Sequence, residues 1–468
     1  MNDGSADEGV KMAIDQLGIE AEVDDDDFES LEEELHLIAS AIERFVHTVR
    51  DIQECARTCL PQASKRFTDN YNEIRESLDA NQKILESEAS PEEKLVAARE
   101  LRKAIRKSER FQNDATVSTL ERSLFIGMFT CFDSFVGELL EGVYSVCPEL
   151  YKALGSQYTA AEVLEYDTLG EFKVAVLEKE IETIRRKSYG EQFKEFERRF
   201  KFESLTKFDS WPLFIEASQR RNLFTHCNGI VSQQYLKVCA EAGYKIPEDC
   251  EIGKQLSINV KYFWTTSRII TEVGVMLGHT VWRKLLESER RKADSELNYL
   301  IYDFLQLGHF RTAESLCKFA SGIPKKSDDV MARMFTLNHA IAAKEIGGLS
   351  AAKRILDKKD WSAVIYDFRL ARAVLLEEYE EAKCLMIRIG RKGEIVCEEA
   401  YHDWPLFRKF RERQEFLEGY ETVYGVKYLT KLSEIVHDTH ADTVAKAEAE
   451  AKAEAAEDAD VVIDTARS

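Results

Sequence analysis

The sequence predicts an all-α protein. Its 468 residues include only 7 Pro and 22 Gly, and so few helix breakers favour long helices over a turn-rich all-β fold. Apolar residues recur at alternating steps of three and four, the spacing that places them on one face of a helix. Ser90-Pro91-Glu92-Glu93 is typical of a helix start, with a capping Ser, Pro at the first helical position and a Glu that reaches back to the cap.

The composition indicates a globular intracellular protein. Hydrophobic residues make up 44% and charged residues 32% of the chain, unlike a disordered or collagen-like sequence. The ten Cys include no CxxC pair, which favours reduced thiols over a disulfide framework or a zinc site. The sequence shows no run of about 18 apolar residues and no secretory signal, so we expect a cytoplasmic protein without a membrane span.

Acidic residues are concentrated at the two ends of the chain. The formal net charge is -21, of which residues 1–35 contribute -13 and residues 441–468 contribute -5, leaving -3 for the body. The overall charge therefore does not exclude a local anion-binding site. The run Asp24–Asp27 is most simply a solvated tail, and the alternative is an imitation of nucleic acid that covers a basic cleft.

We expect five segments along the chain. They are an acidic disordered arm (1–27), a coiled-coil-like helical arm (28–113), a helical bundle (114–288), a domain of helical repeats (289–430) and a low-complexity acidic tail (431–468). The arm should hold three helices: a first with an apolar stripe, ended or bent at Pro61, a second from Phe67 and a third over 91–111. The stripe consists of Leu31, Leu35, Ile38, Ile42, Phe45, Val49 and Ile52. Such a hairpin packs against the protein or dimerises.

Residues 119–145 are apolar on more than one face, which predicts a helix in a domain core. Asp133 and Glu138 interrupt this pattern. Either they face solvent at the edge of the apolar stripe, or one of them faces a functional site. Further helices are expected over 172–187, 191–199, 211–224 and 260–287, with a stop signal at Asn228-Gly229.

The segment from Arg221 to His226 carries the candidate chemistry. Asn222 and His226 are four residues apart and share a helix face, and Arg221 lies on the adjoining face. An Arg fork matches phosphate oxygens, His moves protons near neutral pH, and Asn orients the imidazole or a substrate hydroxyl. Alternatively, Arg221 pairs with a surface carboxylate and His226 caps the helix. A similar pair, Arg333 and His339, lies in the repeats and is interpreted as chance.

This segment, together with the Phe-rich helix upstream and Trp211 on the motif helix, resembles the HEPN superfamily over roughly residues 115–288. In that family an Arg, a polar residue, a spacer and a His form a ribonuclease motif, matched here by Arg221, Asn222 and His226. The resemblance implies a bundle of four to five helices, a symmetric homodimer with a composite cleft, and cleavage of RNA to a 2′,3′-cyclic phosphate without metal or other cofactor. His226 would be the general acid and base, Arg221 the phosphate clamp and Asn222 a positioning group. The auxiliary acidic residue of some members is not assigned.

The neighbouring charges agree with an RNA-binding surface. The segment from Arg185 to His226 contains ten basic and six acidic residues, so its net charge is positive, as phosphate binding needs. The predicted RNA contacts are Arg185, Arg186, Lys187, Arg198, Arg199 and Arg220. The alternative is an ordinary solvated helix face.

Residues 290–390 resemble tetratricopeptide repeats. One pattern recurs three times: a turn, then an aromatic residue or Leu, then an Ala three positions after it. The three alanines are Ala313, Ala352 and Ala382. The resemblance implies a concave face for a protein or peptide partner, with a generic helical bundle as the alternative. A capping helix is expected from Trp404. His437, His440 and Asp442 lie in a polar segment and are not expected to bind metal.

The sequence as a whole favours an endoribonuclease of HEPN type, a bacterial toxin or antiviral effector controlled through its repeats. The main alternative is a non-catalytic scaffold in which the bundle only dimerises. A third, weaker alternative is the partner of a nucleotidyltransferase.

Overall fold

The computed structural model describes residues 37–154, 157–202 and 205–428. These residues contain 17 α-helices and almost no strand, and the structure is 78% helical. The β-pairing in the described part is one isolated bridge between Ile230 and Gln255. The all-α prediction is therefore confirmed. By contacts the described residues form two units, one of 37–201 with 215–263 and the other of 202–214 with 264–428.

The first unit begins with two long antiparallel helices, α1 (Leu37–Glu86) and α2 (Pro91–Phe111). Helix α1 runs through Pro61 without a break, so the prediction of three arm helices is wrong. An internal Pro removes one backbone hydrogen bond. Before Pro61, Ala56 and Leu60 are buried, and further along the helix Phe67 packs on Phe111 of α2 with ring centroids 4.5 Å apart. Packing of both halves of the helix stabilises it as one continuous element. Leu31 and Leu35 of the predicted stripe lie outside the described residues.

The core of the first unit is α3 (Thr116–Val146), as its apolar faces predict. Phe125, Phe129, Phe132 and Phe135 are all buried on it. Phe45 of α1 stacks on Phe135 with ring centroids 4.6 Å apart. The first half of the predicted arm therefore packs on the predicted bundle, and the expected boundary after residue 113 lies inside the first unit.

The candidate motif lies on α7 (Trp211–His226). Four further helices of the described chain precede or follow it: α4 (Ala160–Leu164), α5 (Leu169–Arg185), α6 (Tyr189–Phe200) and α8 (Gln233–Glu241). Helix α5 packs on α3, and α6 packs on α5. The predicted helices over 172–187, 191–199 and 211–224 are confirmed, each with slightly shifted ends.

Helix α9 (Val260–Leu285) continues into the second unit, where helices pair as hairpins. The pairs are α10 (Arg290–Gln306) with α11 (Phe310–Gly322), α12 (Asp329–Gly347) with α13 (Leu349–Leu356), and α14 (Tyr366–Leu375) with α15 (Tyr379–Ile389). Ala313, Ala352 and Ala382 each lie near the start of the second helix of a pair and are fully buried. The predicted helical hairpins are therefore present at these positions.

The end of the second unit differs from the prediction in one respect. Trp404 is followed by a short 3₁₀ turn (Pro405–Phe407). The α-helix before this turn is α16 (Glu398–Asp403), and the α-helix after it is α17 (Gln414–Tyr424). The expected capping helix at Trp404 is therefore absent from this part of the described chain. Pro405 fixes the turn, and Phe407 and Phe410 are buried beside α17.

One helical stretch among the described residues, within Pro91–Val146, is long and apolar enough by composition to cross a membrane. Half of its most apolar window is buried inside the protein, and a core helix meets the same criteria. The feature is weak evidence for a membrane span.

Candidate functional site

The candidate motif occupies the last turns of α7, and the chain leaves this helix through a tightly defined turn. Asn228 and Gly229 both have positive φ, at 52° and 81°, as the stop signal predicts. The backbone N–H groups of Cys227 and Gly229 both donate to the Leu223 carbonyl, at 2.7 and 3.0 Å. This arrangement closes the helix end and fixes the position of His226, its last residue.

A cavity of about 460 Å³ lies beside α7 within the first unit. All three motif residues line it, as do side chains from α3, α6, the α5–α6 connection and the start of α8. The lining residues are Asp133, Arg185, Arg186, Lys187, Ser188, Tyr189, Gln192, Gln219, Arg221, Asn222, Leu223, His226, Cys227, Ser232, Gln234 and Tyr235. The lining is thus rich in cations and neutral hydrogen-bonding groups, with Asp133 as its carboxylate.

Arg221 is held by an acidic group from the core helix. Its Nη2 lies 3.5 Å from Oδ2 of Asp133, and the two side chains are 24% and 21% exposed. Tyr189 donates from its hydroxyl to Asp133 Oδ1 at 2.9 Å. Burial raises the pKa of Asp133, against the hydrogen bond from Tyr189 and the positive charges of Arg221 and Arg185. Asp133 thus lines the cavity, while Glu138, the other residue that interrupts the apolar pattern, pairs with Arg44 at 3.0 Å.

Arg221 also fixes the direction of the Asn222 side chain. Arg221 Nη1 donates to Asn222 Oδ1 at 3.1 Å, so the amide oxygen is turned towards the guanidinium. Arg221 Nε is buried and has no hydrogen-bond partner within the described part of the chain. A buried guanidinium nitrogen without an acceptor is available to an oxygen atom of a ligand.

His226 is exposed at the mouth of the cavity. Within the described residues its imidazole has neither a hydrogen bond nor an ion pair. The alternative interpretation has two parts. Its first part, the pairing of Arg221 with a carboxylate, is present as the contact with Asp133. No helix-capping contact of the His226 side chain occurs among the described residues.

Three of the predicted RNA contacts reach the cavity. Arg185, Arg186 and Lys187 line it because α5 ends at Arg185 and a capping box of Ser188 and Glu191 starts α6 directly afterwards. Arg186 pairs with Glu182, and Lys187 lies 3.4 Å from Glu195. The guanidinium of Arg185 makes no ion pair with any described residue.

The other three predicted contacts, Arg198, Arg199 and Arg220, do not line this cavity. Arg198 is exposed and pairs with Glu195. Arg199 is only 11% exposed, because it pairs with Glu195 at 3.0 Å and with Glu180 and donates to the Tyr144 hydroxyl. Its guanidinium therefore holds α5 and α6 together, and the prediction that it contacts RNA is not supported.

Arg220 belongs to a closed polar cluster. It pairs with Glu216 at 2.8 Å, donates to the Ser257 carbonyl at 3.1 Å, and lies over the Tyr262 ring with its Cζ 3.9 Å from the centroid. Glu216 is 1% exposed and also accepts from the Tyr235 and Tyr262 hydroxyls, at 2.7 and 2.8 Å. Arg220 consequently has a structural role in place of the predicted RNA contact.

Sequence reasoning missed several residues of the cavity. Tyr189 and Gln192 face it from the first turns of α6, and Ser232 caps α8 at its edge. Gln192 is 1% exposed and donates to the Lys187 carbonyl at 3.0 Å, which holds the basic connection in place. No sequence pattern indicates these roles, because each depends on contact between helices that are distant along the chain.

The second Arg and His pair has a different environment. Arg333 pairs with Asp329 at 2.6 Å and donates to the Asp360 carbonyl. Burial lowers the pKa of His339 to about 4. Both side chains are thus part of the helical packing, in agreement with the interpretation of this pair as chance.

Within the described residues, no group of three or more His, Cys, Asp or Glu side chains could hold a metal ion. His437, His440 and Asp442 lie outside the described residues. No model of a protein family, no curated protein and no solved structure matches the chain.

Proposed function

We propose that the protein is a metal-independent endoribonuclease of HEPN type. The observation that carries this proposal is the cavity in which Arg221, Asn222 and His226 come together with Arg185, at the end of α5, and Lys187, just after it. The cavity combines a proton-transfer group, a phosphate clamp and further positive charge. These are the requirements for breaking a phosphodiester through its own 2′-hydroxyl.

The chemical step needs only proton transfer and charge stabilisation. The 2′-oxygen attacks phosphorus while a base takes its proton, the bond from phosphorus to the 5′-oxygen breaks, and an acid protonates that oxygen. The products are a 2′,3′-cyclic phosphate and a 5′-hydroxyl. His226 supplies the imidazole, and its exposed position at the cavity mouth lets a polynucleotide reach it.

Arg221 would stabilise the charge that develops on the non-bridging oxygens. Its Nε lacks a partner within the described part of the chain, and its contact with Asp133, at 3.5 Å, is long for an ion pair. The guanidinium is thus oriented by Asp133 and Asn222 without being fully occupied. A fork held in one direction needs little reorganisation in the transition state.

One motif per chain provides one imidazole, whereas the reaction uses a base and an acid. We therefore propose a homodimer in which two copies of His226 serve one composite cleft. The helical hairpins of the second unit would bind a protein or peptide that controls the activity, as in a bacterial toxin or antiviral effector. A chain of this mass that scatters light as a monomer at working concentration would argue against the composite site.

The proposal is tested with purified protein and labelled single-stranded RNA in the presence of EDTA. The wild-type chain should produce fragments with 2′,3′-cyclic phosphate ends. His226→Ala should lower the rate by about 10²–10⁴-fold, since Ala cannot move a proton. His47→Ala is the matched control: His47 is also exposed, in the same unit, but lies on α1 outside the cavity and 3.9 Å from Glu43.

Full activity of His226→Ala, or loss of wild-type activity in EDTA, would refute the mechanism. A folded dimer that cleaves no RNA under any of these conditions would favour the scaffold instead. Unfolding curves of the two His variants show whether a loss of activity reflects the site or the fold.

A further inference from the structure

A row of positive charges covers one face of α2, on the helical hairpin that precedes the core helix. At 100° per residue, five cationic positions fall within an arc of about 100°. They are Arg99, Arg102, Lys103, Arg106 and Arg110, and all five are exposed. We call this row the arginine stripe. Between Arg99 and Arg110 the arc contains no other residue.

The stripe lies on a well-anchored helix. Ala97 and Ala104, on the opposite face of α2, are buried at 2% and 5% exposure. A complete capping box at Ser90 and Glu93 starts the helix, and Phe111 packs against Phe67 of α1 with ring centroids 4.5 Å apart. The helix therefore presents its charges in a fixed direction.

The four arginines of the stripe are not neutralised internally. Lys103 pairs with Glu100 at 2.6 Å, but Arg99, Arg102, Arg106 and Arg110 have no ion pair or side-chain hydrogen bond among the described residues. The facing part of α1 differs: over 62–86 it carries four basic and five acidic residues. Positive charge is thus concentrated on one face of one helix.

The geometry points to the sugar–phosphate backbone of RNA as the ligand of the arginine stripe, and we propose this as a second contact for the substrate. The arginines follow one another at about one helical turn, roughly 5 Å, and span about 16 Å from Arg99 to Arg110. A guanidinium matches phosphate oxygens in a fork geometry. Between Arg99 and Arg110 the arc has no apolar residue of the kind that a protein interface buries, and the exposed Leu95 and Val96 lie one turn before it. This inference rests on the proposed function, since it concerns the same substrate.

The stripe is connected to the cavity through α3. Only a short connection separates Arg110 from the start of α3 at Thr116. Arg122, two turns into α3, donates from Nη1 to Asn228 Oδ1 at 3.0 Å and lies over the Phe224 ring. Asn228 follows His226 by two residues. The proposed path of the RNA strand runs from the stripe along the first turns of α3 to the cavity mouth.

Binding is tested in the His226→Ala background, so that the RNA stays intact. The probe is a fluorescein-labelled single-stranded RNA of about 20 nucleotides, longer than a single small binding site. The stripe variant carries Gln at Arg99, Arg102, Arg106 and Arg110. The matched control carries Gln at four exposed cations of α1 in the same hairpin, Lys65, Arg66, Arg75 and Lys83, so both variants lose the same net charge.

We expect the stripe variant to bind RNA at least about tenfold more weakly and to lower the slope of log K against log salt by about 3, from 0.7 per lost phosphate contact. The control should change the affinity much less. In the catalytically intact chain, the stripe variant should raise KM for the long RNA and leave the cleavage of a substrate of about 4 nucleotides unchanged.

Equal affinity and equal salt slope in the stripe and control variants would overturn the inference. The two proposals fail separately. A chain that binds RNA through the stripe but never cleaves it contradicts the proposed function only. A chain that cleaves RNA with an unaffected stripe variant contradicts this inference only. Unfolding curves of both variants serve as the control that each remains folded.

Discussion

Arg220 and Arg221 are neighbours in the sequence but belong to two different polar clusters, one closed and one open to solvent. Each cluster combines an Arg, a carboxylate from α3 or α7 and Tyr hydroxyls. Around Arg220 the carboxylate is Glu216, which accepts hydrogen bonds from Tyr235 and Tyr262. Around Arg221 the carboxylate is Asp133, which accepts from Tyr189.

The clusters differ in exposure and in how completely their groups are paired. Glu216 is 1% exposed and Arg220 12%, whereas Asp133 and Arg221 are 21% and 24% exposed. Arg220 also has a carbonyl acceptor and an aromatic ring, while Nε of Arg221 has no acceptor in the described part of the chain. The closed cluster therefore serves the fold, and the open one can still bind a ligand.

The largest expected effect concerns the closed cluster. Arg220→Ala leaves a buried carboxylate without its counter-charge, so it should lower the free energy of unfolding by about 3–5 kcal/mol. Arg221→Ala removes a partly exposed pair and should lower it by about 1 kcal/mol or less. Urea unfolding at neutral pH measures both. Equal losses in the two variants would contradict the distinction between the clusters.

The next effect separates the clusters by activity. Arg221→Lys keeps the charge but loses the fork that matches two phosphate oxygens, so RNA cleavage should fall by about 10²–10³-fold without loss of the fold. Arg220→Lys is the control on the preceding residue. It should keep the wild-type cleavage rate at temperatures where it remains folded, and a comparable fall in its rate would show that the two arginines act as one unit.

The sequence predicts the helices and the motif far better than it predicts these two roles. The core helix around Phe132 and the stop at Asn228 follow from local patterns, which depend on spacing and turn chemistry. The motif itself is local, because Asn222 and His226 share a helix face. These features need no knowledge of distant contacts.

The roles of the basic residues depend on such contacts. A charge count treats Arg220 and Arg221 alike, yet Tyr262 and Asp133, which distinguish them, lie 42 and 88 residues away. Arg199 is internal because Glu180 of another helix pairs with it. The predicted break at Pro61 is wrong for a related reason, since the halves of α1 on either side of it pack on other helices, through Leu60 and through Phe67 on Phe111.

The smallest expected effect concerns the turn at Gly229, where the chain leaves α7. Gly229 and Gly253 have nearly the same positive φ, 81° and 86°, so an Ala at either position pays a similar backbone cost of about 1–3 kcal/mol. A Cβ on Gly229 would lie 2.7 Å from a ring carbon of Phe224, whereas a Cβ on Gly253 meets nothing within 4 Å.

Gly229→Ala should therefore be less stable than Gly253→Ala by a further 1–3 kcal/mol or so, the usual cost of overpacking. Because Phe224 lies in the last turn of α7, two residues before His226, relief of the clash moves the helix end, and with it His226. A shift of about 1 Å can cost about 10²-fold in rate, so Gly229→Ala should also lose RNA cleavage at temperatures where it is still folded. Gly253→Ala should keep it. If both variants cleave RNA equally, the turn only terminates the helix, and the position of His226 is set by the packing of α7 instead.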